Sequence, residues 1–85
     1  MDKCDKLLEK ARRSPNNLRF TELCQLAECY GFTLQRQHGS HHIYKRPGYP
    51  LALTFPECTG KVKAAYVKRL LDAIEELELG GSDGE

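Results

Sequence analysis

The chain has 85 residues, enough for one small domain and too few for a second catalytic domain. Its composition, 40% apolar and 29% charged, is ordinary for a folded soluble protein. No apolar run approaches the roughly 18 residues that a membrane-spanning helix needs, so we expect no membrane partner. Any activity must therefore lie on the surface or in a shallow cleft.

The net charge of +1 hides a strong asymmetry along the chain. Residues 32–69 carry seven bases and one acid, whereas residues 70–85 carry six acids and no base. A basic centre suggests an anionic partner, with the phosphate backbone of a nucleic acid as the leading candidate. The alternative is a set of solvated lysines that the acidic end balances in space.

The first segment, MDKCDKLLEKARR, lacks the apolar block of a signal peptide, so we expect a cytoplasmic protein. The four cysteines (Cys4, Cys24, Cys29 and Cys58) show no C-x-x-C spacing, and we expect them to be reduced and partly buried.

Helical spacing of the apolar residues predicts a first helix over residues 3–13, ended by the turn sequence SPNN. A second helix follows in FTELCQLAECYG, with Thr21 as its cap and Gly31 as its stop.

The period of the pattern then changes to two, which predicts strands in FTLQRQH, HHIYKR and LALTF, with Phe32, Leu34 and the odd positions of LALTF buried. Gly39-Ser40 is typical of a type II′ hairpin turn, so the three strands should form an antiparallel meander. A last helix begins at about Lys61 and ends at LGG.

This order predicts an α+β fold in which helices cover one face of a three-stranded antiparallel sheet. Residues 1–17 form an N-terminal helix and loop, residues 18–79 form the main domain, and residues 80–85 form a polar tail that we expect to be disordered.

All three histidines, His38, His41 and His42, lie in the stretch RQHGSHHIYKRPG around the predicted turn. An imidazole on an exposed turn can give or take a proton near neutral pH. We expect Ile43 to face the core with Leu53, and alternation then places His41 on the core side and His42 on the opposite face. Three histidines without a fourth ligand at finger spacing do not favour zinc, so we expect no metal and no cofactor.

Two segments, LRFTELCQLAECYGFTLQRQHGSHHIYKRPG and GKVKAAYVKRLLDAIEEL, resemble the HicA family of bacterial toxins over roughly residues 19–78. The resemblance implies a fold like a double-stranded-RNA-binding domain, α-β-β-β-α, and a metal-independent ribonuclease that cuts mRNA. It also implies a HicB-type antitoxin as partner. The helix over residues 3–13 is additional to the family's fold.

The family's functional residue is the histidine directly after the Gly-Ser of the turn, which is His41 in this sequence. The resemblance therefore implies His41 as the catalytic residue, and His38, across the hairpin, could assist it. The same histidine could instead be a partly buried residue that only orders the hairpin. Many family members carry another histidine and a basic glycine turn after the third strand, where this sequence has FPECTGK.

The basic residues near the turn are the candidates for holding RNA. We place Lys61 and Lys63 on the first turn of the last helix, where free backbone N–H groups favour a phosphate. The RNA-binding set is Arg36, Ser40, Lys45, Lys61 and Lys63. The sequence thus leaves two interpretations, an endoribonuclease toxin and a non-catalytic RNA-binding or protein-interaction module on the same fold.

Overall fold

The computed structural model describes the backbone of residues 3–83 and the side chains of residues 3–78. The elements, in chain order, are α1 (Lys3–Arg13), a short 3₁₀ turn (Pro15–Asn17), α2 (Phe20–Cys29), β1 (Thr33–His38), β2 (His41–Arg46), β3 (Tyr49–Pro56) and α3 (Ala64–Asp83). Within these residues the strands form one antiparallel sheet in the order β1-β2-β3. The predicted α+β class, the meander and the additional N-terminal helix are confirmed.

The hairpin between β1 and β2 has the turn that the sequence predicts. Gly39 has a φ of +59° and Ser40 a negative φ, as the first and second positions of a type II′ turn require. The turn pairs His38 directly with His41 in the strand register. The position of His41 next to the turn therefore follows from the Gly-Ser dipeptide.

One apolar core fills the space between the helices and one face of the sheet. Leu23, Leu26 and Ala27 of α2 are buried, and so are the inward side chains of α3. The fully enclosed large side chains are Leu18, Leu23, Leu26, Phe32, Phe55, Val67, Leu70 and Ile74. Within residues 3–83 no helix is both long enough and apolar enough to cross a membrane.

Two leucines that the alternation pattern placed in the core are exposed. Leu34 is 45% exposed and Leu51 is 61% exposed. Each leucine lies beside a shift in the pairing register of the sheet. One shift follows Leu34 in the pairing of β1 with β2, and the other lies near the start of β3 in its pairing with β2. A bulge interrupts strict alternation and bends the strand, so a period of two cannot predict burial at these positions.

The expectation that all four cysteines are reduced is wrong. Cys4 and Cys29 form a disulfide that joins the start of α1 to the end of α2. Cys24 is a buried free thiol and Cys58 an exposed one. The disulfide encloses the first two helices in one loop, with a sequence separation of 25 residues.

Three helix ends also differ from the prediction. Helix α2 begins at Phe20, so Thr21 is not its cap; instead the Glu22 carboxylate accepts a hydrogen bond of 3.0 Å from the Arg19 backbone N–H. Helix α3 begins at Ala64, which leaves Lys61 and Lys63 in the segment before it. The same helix continues past LGG to Asp83, at a cost in helix propensity of about 1 kcal/mol for each of the two glycines. The remainder of the predicted tail, residues 84–85, lies outside the described residues.

Candidate functional site

The faces of strand β2 are the reverse of the sequence prediction. Tyr44, not Ile43, is buried, and it pairs with the buried Leu53 of β3. Because alternate residues share a face, His42 lies on the helix-covered side and His41 on the open side. Burial, together with the neighbouring Cys24 thiol, raises the pKa of Tyr44.

The open face of the sheet brings together most of the predicted polar site. His38 and His41 are register partners, and Arg36 pairs with Ile43, so all four lie on this face. Lys45 follows by alternation along β2. Arg36, His38, His41 and Lys45 are all exposed. The structure therefore groups the candidate catalytic histidine, its auxiliary and two of the predicted RNA-binding bases on one surface.

His42 has a different environment from its two neighbours. Its Nε2 lies 3.2 Å from a carboxylate oxygen of Glu57, and its ring packs edge-on against Phe20 with 4.9 Å between centroids. Only 14% of the His42 side chain is exposed. Glu57, the acid in the FPECTGK segment, thus has a partner on the covered side of the sheet.

A backbone hydrogen bond ties the hairpin turn to the segment after β3. The Glu57 N–H donates to the Ser40 carbonyl oxygen over 2.6 Å. Together with the His42–Glu57 contact, this bond holds residues 39–42 against residues 56–58. The predicted RNA-binding residue Ser40 is therefore fixed through its backbone, and its side chain is exposed.

A cleft of about 380 Å³ lies next to this junction, and the sequence reasoning missed it. It is lined by Pro56, Cys58, Lys61, Val62, Lys63 and Tyr66. Pro56 is the register partner of His41, so the cleft begins one strand away from that histidine. The signal in the sequence was the alternation of lysines with apolar residues in GKVKAAY, since both kinds of residue line the cleft.

Lys61 and Lys63 reach the cleft from an extended segment, not from a helix. Lys61 forms an isolated β-bridge with Arg19, and its Nζ donates a 2.9 Å hydrogen bond to the Asn17 side-chain oxygen. Lys63 immediately precedes Ala64, the first residue of α3. The Tyr66 backbone N–H in the first turn of α3 donates a 3.0 Å hydrogen bond to the Lys63 carbonyl oxygen, so Lys63 adjoins the start of this helix.

Over residues 3–83 these features define a small α+β domain, ordered α-β-β-β-α after the additional first helix, with an exposed basic sheet face and an adjoining lysine-lined cleft. Residues 20–75, more than half of the chain, match the family model described as the HicA toxin of bacterial toxin–antitoxin systems. The chain belongs to the HicA toxin family, and membership implies a toxin with an antitoxin partner. No curated protein matches the sequence.

Proposed function

We propose that this toxin is a metal-independent endoribonuclease that cuts mRNA, with His41 as its general base. The observation that carries the proposal is the pairing of His38 with His41 on the open, basic face of the sheet. Side chains of directly opposed residues in an antiparallel pair have Cβ atoms about 5 Å apart, so both imidazoles can reach one phosphodiester. The family match supports the same class of activity.

The proposed reaction needs only groups that this surface offers. His41 takes the proton of a ribose 2′-hydroxyl as its oxygen attacks the adjacent phosphorus. The bond from phosphorus to the 5′-oxygen breaks, and His38 donates a proton to that leaving oxygen. The products are a 2′,3′-cyclic phosphate and a 5′-hydroxyl, and the two histidines exchange roles when the cyclic phosphate is hydrolysed.

Cationic side chains around the histidine pair hold the RNA strand and offset the charge that develops on phosphorus. Arg36 and Lys45 share the sheet face with the histidines, whereas Lys61 and Lys63 line the cleft beyond Pro56. Lys61 uses one of its three N–H donors on Asn17 and keeps two for phosphate oxygens. The hydroxyl group of Ser40 completes the set at the turn.

The antitoxin that inhibits such a toxin must cover this face. We therefore assign the partner to the HicB type, with a folded domain placed over the His38–His41 pair and the cleft. A substrate such as mRNA also makes the cytoplasm the compartment of action. An acidic partner surface would complement the four bases of the RNA-binding set.

The proposal is tested with a labelled RNA incubated with the purified toxin in the presence of a chelator. We expect cleavage to persist, to leave cyclic phosphate ends, and to stop when the ribose at the cut carries no 2′-hydroxyl group. Lys61→Gln with Lys63→Gln should flatten the slope of log affinity against log salt by about 0.7 for each phosphate that the variant no longer binds. RNA that binds this toxin but is never cut would instead identify a non-catalytic RNA-binding module.

A further inference from the structure

A second cleft, of about 290 Å³, lies at the end of α1 and the turn that follows it. It is lined by Lys6, Glu9, Lys10, Arg13, Ser14 and Asn17. Five of these six side chains can donate hydrogen bonds, and three are cationic. All six residues lie before residue 20, where the match to the family model begins.

Lys61 connects this second cleft to the first one. It lines the cleft beside Pro56, and its Nζ lies 2.9 Å from the side-chain oxygen of Asn17, which lines the cleft on α1. The bridge between Lys61 and Arg19 fixes the intervening backbone. The two clefts thus form one track, from the register partner of His41 to the end of α1.

Two of the three cations of the second cleft, Lys6 and Arg13, remain available to a ligand. Lys10 is engaged by Glu22 at 2.8 Å, and Arg13 is engaged by Glu9 at 2.9 Å in an ion pair that is largely exposed. An exposed pair at this helical spacing is weak, and the arginine keeps further N–H donors for a phosphate. The Lys6 side chain is exposed at the same cleft.

We propose that α1 and its following turn bind phosphates of the RNA strand beyond the cleaved bond, with Lys6 and Arg13 as the contacting residues. This inference rests on the proposed ribonuclease function and extends its substrate to a strand longer than the histidine site alone requires. The groove carries three cations, hydroxyl and amide donors and one carboxylate, that of Glu9, and this net positive lining fits a phosphate backbone. A protein-binding core would instead need buried aromatic or aliphatic anchors, and none of the six lining side chains is of that kind.

Two matched double variants test the inference. Lys6→Gln with Arg13→Gln removes two charges from the cleft, and Lys68→Gln with Arg69→Gln removes the same two residue types from α3. Lys68 and Arg69 line neither of the two clefts. All four substituted side chains are exposed, so both variants should melt like the parent.

The probe is a single-stranded RNA of about 16 nucleotides with 2′-O-methyl riboses, which cannot be cut, titrated at several salt concentrations. We expect the cleft variant to flatten the slope of log affinity against log salt by about 1.4, corresponding to two phosphates that are no longer bound, and the control variant to change it far less. With a dinucleotide probe the two variants should differ in slope by at most about 0.7, because this probe offers only one internal phosphate.

Equal slopes for the two variants on the long probe would overturn the inference while leaving the ribonuclease proposal intact. A parent protein that binds neither probe would remove the RNA-binding role from both proposals. If the cleft variant loses affinity for an acidic antitoxin and not for RNA, the track is a protein interface and the inference is wrong.

Discussion

Substitution of Leu70 by alanine tests the packing of α3 against the sheet. The Leu70 side chain is fully enclosed, and Val67 and Ile74, one turn away on either side, are enclosed as well. Removing its three outer carbons leaves a cavity that these neighbours cannot fill, so we expect a loss of about 2 to 5 kcal/mol in the free energy of unfolding. A domain of this size has a total of only about 4 to 13 kcal/mol.

The matched control is Leu51→Ala, the same chemical change at a side chain that is 61% exposed. We expect the control to lose less than about 1 kcal/mol. Urea unfolding followed by circular dichroism measures both variants, and the midpoint should fall for Leu70→Ala with the slope unchanged. Equal losses in the two variants, or a loss below about 1 kcal/mol at Leu70, would refute the description of this core.

Three further predictions concern stability. Replacing Cys4 and Cys29 by serine should cost about 3.5 kcal/mol by the chain-entropy estimate for a loop of 25 residues, and a reducing agent should shift the melting of the parent but not of the variant. The Lys10 ammonium, hydrogen-bonded to Glu22, lowers the pKa of Glu22 below its usual 4.5. The ionised carboxylate therefore adds stability above about pH 4.5, and this stability is lost as the pH falls through the lower pKa of the folded state. In unfolding measured as a function of pH, Glu22→Gln should lose less stability than the parent over this acidic range. Gly39→Ala should lower the free energy of unfolding by about 1 to 3 kcal/mol in a denaturant melt, because a φ of +59° strains any residue with a side chain. The cost comes from the backbone alone, since no atom lies within 4 Å of the new Cβ. An unchanged melt would contradict the turn assignment.

The helices and the hairpin of this fold follow from local rules. The stop of α2 at Gly31 and the turn at Gly39 each depend on a few adjacent residues, and the structure has both as predicted. The disulfide does not follow from such rules, because Cys4 and Cys29 meet only when α1 packs on α2. Long-range pairings of this kind leave no signal in the spacing of a single sequence.

The sequence predicted that these polar residues cluster, but it did not predict on which face of the sheet each residue lies. The cluster of histidines and bases was evident from composition, and four of these residues do share one surface. Hydropathy favoured Ile43 over Tyr44 for the core, yet the Tyr44 ring is the buried one and packs beside Phe55 with 5.6 Å between the ring centroids. Successive residues of a strand alternate between its two faces, so placing one residue fixes the face of all the others. Placing Ile43 in the core therefore put His41 and His42 on the wrong faces in the prediction.

The rate of RNA cleavage in single-turnover experiments tests the central claim most directly. His41→Ala should reduce this rate by about 10² to 10⁴ while binding and the melting curve stay close to those of the parent. His42→Ala should lower stability, because it removes a ring packed on Phe20 and paired with Glu57, and its folded fraction should cut RNA at nearly the parental rate. Unimpaired cleavage by His41→Ala, or a loss of chemistry that appears at His42 instead, would contradict the assignment of His41 as the general base.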